Sequence, residues 1–342
     1  MSSVKKVLII KLGAIGDVVH TTVISSAIKQ LYPEVEVHFL TVPSMVPLLE
    51  NHPHIDKVIE WNPKYRKSFK YLLEVASQGR KEKYDVIFNM TRALRNIVLS
   101  SLMFPKQVVG KQNFGKSWVE EYFLTAKAII KDLRLPERLY LSVNHDSRQK
   151  IDEFLSSYNA PYYLLFPAGS SDKHRQGRIW GMDSWKELTS ALKSLGGTVF
   201  VSGSSEEFEE HLVIDNALVV SGQHSLMETL ALMERADYVI SGDSGPAHLA
   251  SALGTATIAL CGSTSPDKIK PFGKNGFAIP SPNECRFCWA KKCKFLDDSG
   301  EKISPCMKAI TPNMVVEKIK EIALTLDKQH IISDNDNSYH LV

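Results

Sequence analysis

An aspartate ends the glycine-bearing turn Leu12-Gly13-Ala14-Ile15-Gly16-Asp17, between the apolar run Val7 to Ile10 and a helical stretch that reaches Leu31. A carboxylate at a strand-to-helix turn has two uses. It caps the helix by accepting a backbone N–H, or it faces a cleft and takes a proton from a hydroxyl. Both readings of Asp17 stay open on chemistry alone. The turn is not G-x-G-x-x-G and no acidic residue follows near Leu40, so the signature of dinucleotide binding is missing.

A second turn, Gly242-Asp243-Ser244-Gly245-Pro246-Ala247-His248, joins the apolar run Tyr238 to Ser241 to an alanine-rich helical stretch. Pro246 suits a first helical turn, where its missing N–H costs nothing. The N–H groups of Ser244, Gly245 and Ala247, with the positive end of the helix dipole, would seat a diphosphate; a plain turn is the alternative. A third segment, Pro167-Ala168-Gly169-Ser170-Ser171 running on to Arg178-Ile179-Trp180, brings the hydroxyls of Ser170 and Ser171 and the Arg178 cation to the same edge.

Charge is uneven along the chain. Lys64 to Lys116 holds twelve Lys and Arg against Glu74, Glu82 and Asp85. That field suits an anionic partner such as a phosphorylated lipid headgroup, or else marks solvated helix faces. Nucleic acid is not expected, since no binding motif accompanies the charge. Arg92 and Arg95 follow one predicted strand and Lys111 the next, so the three form a candidate anion site, with ordinary solvated residues as the alternative. Cys285-x2-Cys288-x4-Cys293-x12-Cys306 is suited either to free thiols or to a structural metal, and no metal is placed in the chemistry. Asp334-Asn335-Asp336 has the form of a metal-binding triplet but lies in a polar tail expected to fray.

These residues need elements to hold them. Strands are predicted at Val7–Ile10, Val35–Leu40, Val58–Trp61, Asp85–Phe88 and Val108–Val109, with helices at Val18–Leu31, Phe69–Ala76 and Trp118–Ile130 between them. A linker, Leu133 to Asn144, precedes a second series. Its strands are at 162–166, 198–202, 217–220, 238–241 and 256–260, and its helices at 185–195, 226–235 and 247–253. Such alternation predicts two doubly wound parallel sheets. The 342 residues suffice for two domains of roughly 150 each. The expected division is 1–144, 145–327 and a polar tail 328–342, with a final helix Asn313–Asp327 lying across the junction. No stretch reaches the roughly 18 apolar residues that span a bilayer, so a cytoplasmic location is expected.

The segments Leu8 to Asp17, Gly242 to Ala250 and Ala252-Leu253-Gly254 together closely resemble the ADP-heptose:lipopolysaccharide heptosyltransferases, glycosyltransferase family 9. The resemblance runs from about Lys6 to Ile319. It implies a GT-B fold, two Rossmann-like domains facing across a cleft, with acceptor on the first and nucleotide sugar on the second. It implies inverting transfer of heptose from ADP-heptose to the inner core of a lipopolysaccharide or lipooligosaccharide precursor, with no required cofactor and possible peripheral contact with the inner membrane. Asp17 becomes the catalytic base, with Lys11 and Gly13 of its loop on the acceptor side. Asp243, Ser244 and Gly245, with Ala247 and His248, correspond to the donor's sugar and diphosphate site. Arg178 stands where the family usually has Lys, a change that keeps charge and alters shape. His224 corresponds to the position that packs on the base, and Glu206 or Glu207 to the acid on the ribose. Two other classes remain in view: a nonhydrolysing sugar-nucleotide epimerase, and a non-catalytic sugar-nucleotide-binding protein.

Overall fold

The computed structural model describes residues 4–167, 178–203, 214, 216–290, 293–296 and 303–337, without the side chains of 326–337. The first half runs β1 (Lys6–Ile10), α1 (Ile15–Leu31), β2 (Glu36–Thr41), α2 (Val46–Leu49), β3 (Lys57–Glu60), α3 (Phe69–Glu82), β4 (Val86–Asn89), α4 (Leu94–Leu102), β5 (Gln107–Gly110) and α5 (Trp118–Lys127). Its five strands pair in parallel in the order β3-β2-β1-β4-β5.

The second half runs α6 (His145–Leu155), β6 (Tyr162–Phe166), α7 (Met182–Ser194), β7 (Thr198–Val201), β8 (Leu218–Val219), α8 (Leu226–Arg235), β9 (Tyr238–Gly242), α9 (Gly245–Leu253), β10 (Ala256–Cys261), α10 (Pro266–Ile269), β11 (Gly276–Pro280), α11 (Pro305–Lys308) and α12 (Pro312–Asn337). Its six strands are also parallel, ordered β11-β10-β9-β6-β7-β8. Parallel strands covered on both faces read as unbroken apolar runs, which is why the central strands were predictable.

Helix α1 is buried throughout Val18–Ile28, because it lies between the first sheet, α5 and α9. Its hydroxyls would be costly there without partners. They are satisfied locally: Thr21 donates to the carbonyl of Asp17 at 2.7 Å and Ser25 to that of Thr22 at 2.7 Å.

Helix α12 corrects two expectations. Val315, Val316, Ile319 and Ile322 pack with Trp185, Leu188 and Leu192 of α7, so it closes the second sheet's core rather than lying across the junction. Its backbone also stays helical through Asn337, past the point where a frayed tail was expected; neither Gly nor Pro interrupts residues 313–342. Residues 133–144 carry no helix or strand, yet Leu133, Leu139 and Val143 enter the core shared with α6. Among the described residues no helix is long and apolar enough to cross a membrane.

Burial also stores a pH dependence. His52, which follows α2, is only 3% exposed, and desolvation, helped by His54, pushes its pKa down to about 3. The unfolded chain binds this proton near pH 6.5 and the folded chain does not, so stability is full above 6.5 and is lost as pH falls toward 3. At pH 5 the group alone should cost about 2 kcal/mol. Chemical denaturation at pH 7 and pH 5 should show a shallower loss in His52→Gln than in wild type.

Candidate active site

In a doubly wound sheet, ligands bind beyond the strands' carboxyl ends, where the strand order switches direction. The first sheet switches between β1 and β4, so the loops after those strands must diverge there. They line a pocket of about 560 Å³ with Lys11, Leu12, Gly13, Asp17, Thr91 and Arg92, and with Lys111 from beyond β5. Gly13 adopts φ 145°, a conformation open to glycine and strained for other residues.

Asp17 is not the cap of α1. The N-cap is Ala14, without a side-chain hydrogen bond, and Asp17 sits in the first turn. Its carboxylate accepts from the Lys11 ammonium at 2.8 Å and is 39% exposed toward the pocket, whereas Lys11 is almost covered. Lys111 lies over the rings of Trp118 at 4.3 Å and Tyr122 at 4.4 Å. Burial lowers its pKa, Asp17 and Glu121 oppose that, and Lys11 and Arg92 add to it.

Lys11, Gly13, Arg92 and Lys111 thus share one pocket with Asp17. Arg95 does not join them: it donates to the carbonyl of Ser68, and its guanidinium lies 5.8 Å from the Trp61 ring. Position and charge suggested the anion site; the first turn of α4 aims this side chain at α3 instead.

The second sheet switches between β6 and β9. Of the two loops there, residues 168–177 lie outside the described residues, and with them Ser170 and Ser171; Glu206 and Glu207 do too. The other loop is visible. Ser244 is the N-cap of α9, and its hydroxyl bonds that of Ser241 at 2.7 Å instead of capping the helix. The first-turn N–H groups of α9 keep no side-chain cap. Asp243, buried, forms an ion pair with Arg178 at 3.0 Å, and Arg178 also donates to the Asp243 carbonyl at 3.2 Å. Arg178 is therefore fixed at the entrance to α9.

The two loops face each other. A Cβ on Gly245 would lie 2.3 Å from Cγ2 of Ile15, and one on Gly16 would lie 2.9 Å from Cδ2 of His248. The His20 and His248 rings meet edge to face at 4.2 Å. Both are buried with Nδ1 unpartnered, and desolvation holds both pKa values below the ordinary range. A buried polar carboxylate lies beside the pair, since Nε2 of His248 is 4.0 Å from Asp243.

The family model described as glycosyltransferase family 9 (heptosyltransferase) matches residues 76–297. The chain belongs to glycosyltransferase family 9. Over 292 residues it is 23% identical to the lipopolysaccharide core heptosyltransferase OpsX of Haemophilus influenzae, spanning 78% of this chain and 82% of that protein. The family 9 glycosyltransferase of Veillonella parvula has a TM-score of 0.77 at 20% identity, over 94% of this chain and 97% of that one. The ADP-heptose lipopolysaccharide heptosyltransferase II of E. coli has a TM-score of 0.73 at 19% identity, over 94% and 99%. With two facing parallel sheets, the family 9 chain has the GT-B architecture that the resemblance implied.

Three residues around this transferase's cleft, His20, Glu121 and Tyr122, are not among the sequence candidates. His20 is three residues beyond Asp17, one helical turn along the same face. Tyr122 has a buried hydroxyl, which burial and then the charge on Asp17 hold protonated. Glu121, buried, pairs with Lys268 of α10 at 3.2 Å, and so links α5 to the second half. Trp118, Glu121, Tyr122 and Thr125 recur at helical spacing, a signal that was available.

His224 stands elsewhere, its ring edge on Phe154 of α6 at 5.1 Å and its Nε2 buried without a partner. Among the described residues no cysteine is joined to another in a disulfide. Burial raises the Cys306 thiol, with Cys288 and Cys293 near enough to add to it. Among the described residues, the grouping with metal-ligand spacing is instead Glu36, His38 and Glu82. There the Lys6 ammonium, 2.8 Å from both glutamates, already supplies the cation.

Proposed function

We propose that this transferase moves heptose, with inversion, from ADP-heptose to the inner core of a lipopolysaccharide or lipooligosaccharide precursor, at the cytoplasmic face of the inner membrane. One observation carries the reading: Asp17 opens into a cationic pocket of the first domain and lies one residue from Gly16, which packs on His248 of α9 in the second. The likeness to a lipopolysaccharide core heptosyltransferase and to an ADP-heptose lipopolysaccharide heptosyltransferase supports the sugar and the donor. Membership of a transferase family sets aside the epimerase and the non-catalytic binder.

In this reading the acceptor's anionic groups sit among Lys11, Arg92 and Lys111, and its hydroxyl reaches Asp17. The carboxylate takes the proton as that oxygen attacks the anomeric carbon. The bond to the β-phosphate breaks on the opposite face, and ADP leaves. Its charge is met by the uncapped N–H groups of α9 and by Arg178, oriented by Asp243. No step calls on a metal. His224 and Glu206 or Glu207 are assigned to the nucleotide by correspondence, and Ser170 and Ser171 by their place in the sequence after β6. Incubation with a panel of nucleotide sugars and truncated core acceptors, with the product's anomeric configuration read by NMR, tests the whole. Retained configuration, or no heptose transfer, would overturn it.

Two smaller effects follow. Lys111→Ala should raise acceptor KM roughly tenfold, the worth of a charge-assisted hydrogen bond, and Arg92→Ala severalfold with a weaker salt dependence, while ADP affinity stays at wild type. Arg95→Ala should leave acceptor KM unchanged, because its guanidinium serves Ser68. Arg178→Ala should weaken ADP binding about tenfold by calorimetry; an unchanged Kd would place the diphosphate elsewhere.

A further inference from the structure

Helices α3 and α4 cover the sheet face opposite α1 and α5, burying Leu72, Val75, Leu99 and Met103 against Leu8, Ile10 and Ile87. They lie side by side with like ends together. Arg95 at the start of α4 donates to Ser68 just before α3, and Arg80 at the end of α3 donates to the carbonyl of Leu102. This layer should then turn a polar face to water. It does so only in part: Lys70, Glu74, Ser77 and Gln78 are exposed, but so are large apolar side chains. Leu94 is 75% exposed, Phe69 65% and Ile97 45%, with Leu73, Val98 and Tyr65 also outward.

Cations ring these apolar groups. Lys64, Arg66, Lys67 and Lys70 occupy the turn into α3 and its first residues, all exposed, and Glu74 is the lone acid between Trp61 and Lys81. Aromatic and aliphatic side chains among lysines and arginines are the composition of a surface that lies in a membrane interface: apolar groups enter the acyl boundary and cations stay with anionic headgroups. The patch is continuous with the pocket, because Arg92, Ala93 and Asn96 of its lining flank Leu94 in the chain.

We infer that this face, the turn at 63–70 with the N-terminal halves of α3 and α4, docks on an anionic lipid surface and brings the mouth of the pocket to the membrane plane. The inference rests on the proposed acceptor for its purpose, since a lipid-anchored acceptor would arrive by that route. Its physical content is independent of turnover. Docking requires both the apolar and the cationic set: the first alone would bind neutral bilayers, and the second alone would be lost at moderate salt.

The test is co-sedimentation of the full chain with vesicles of phosphatidylcholine alone and of phosphatidylcholine with phosphatidylglycerol. Wild type should partition onto the anionic vesicles and not the neutral ones. Lys64→Gln/Lys67→Gln should lose about 30-fold in partition, the equivalent of about 1 kcal/mol for each cation. Phe69→Ser/Leu94→Ser should lose at least as much, with wild-type ADP affinity showing that the fold survives. Absent binding to anionic vesicles, equal binding to both kinds, or double variants that bind like wild type would overturn the inference. A dimer in sedimentation velocity that Phe69→Ser/Leu94→Ser dissociates would overturn it too, by giving the face to a second copy. Vesicle binding by a protein that transfers no heptose would keep the docking face and discard the functional reading.

Discussion

Asp17→Asn should lower kcat by roughly 10²–10⁴-fold, the range supplied by a positioned general base, and leave ADP affinity within about twofold of wild type by calorimetry. The asymmetry follows from where the carboxylate is held. It belongs to the first sheet's pocket, with Lys11 at 2.8 Å, and the proposed diphosphate seat belongs to α9 in the other half. The substitution spares the helix, because Ala14 and not Asp17 occupies the cap. An asparagine oxygen still accepts from Lys11, so the loop keeps its anchor and only proton uptake is removed. Near-normal turnover would remove Asp17 from the chemistry and leave it as the partner of Lys11.

The loops that build the cleft were legible because their cause is local. Gly13, Gly245 and Pro246 stand where a strand must turn sharply into a helix, and the flanking strands are buried on both faces and so uniformly apolar. What escaped was either locally ambiguous or set by packing. Strand β11 begins with Gly276 and ends with Pro280 at a sheet edge, a composition that argues against a strand in sequence. Helix α6 buries little beyond Ser147, Ile151 and Leu155, too sparse a stripe to stand out among its charges. Glu121 reads as a solvated helix residue until Lys268 arrives from 147 positions away. Arg92 and Arg95 look equivalent in sequence, and only the packing of α4 on α3 turns the second away from the pocket.

The juxtaposition of Ile15 and Gly245 gives the second large effect. Both ends of this contact lie in the proposed chemistry's two loops, two residues before Asp17 and two after Asp243. A Cβ on Gly245 would stand 2.3 Å from Cγ2 of Ile15, and the next atom, the Ile15 Cβ, 3.7 Å away. The approach is too close for both side chains, and a β-branched residue has few rotamers with which to withdraw. Gly245 has no left-handed backbone to defend, and alanine is the better residue within a helix. Gly245→Ala should therefore cost little within α9 and express itself by displacing the loops from one another. A displacement near 1 Å between a base and the bond it serves lowers turnover by about 10²-fold. The expected result is a fall in kcat of that order, with overpacking costing about 1–3 kcal/mol in unfolding free energy. Ile15→Ala in the same chain removes the obstructing methyl and should recover most of the lost kcat, although Ile15→Ala alone leaves a small gap. If the double variant turns over no faster than Gly245→Ala, the glycine is required for something other than the approach of the two loops, and backbone access by the diphosphate becomes the better explanation.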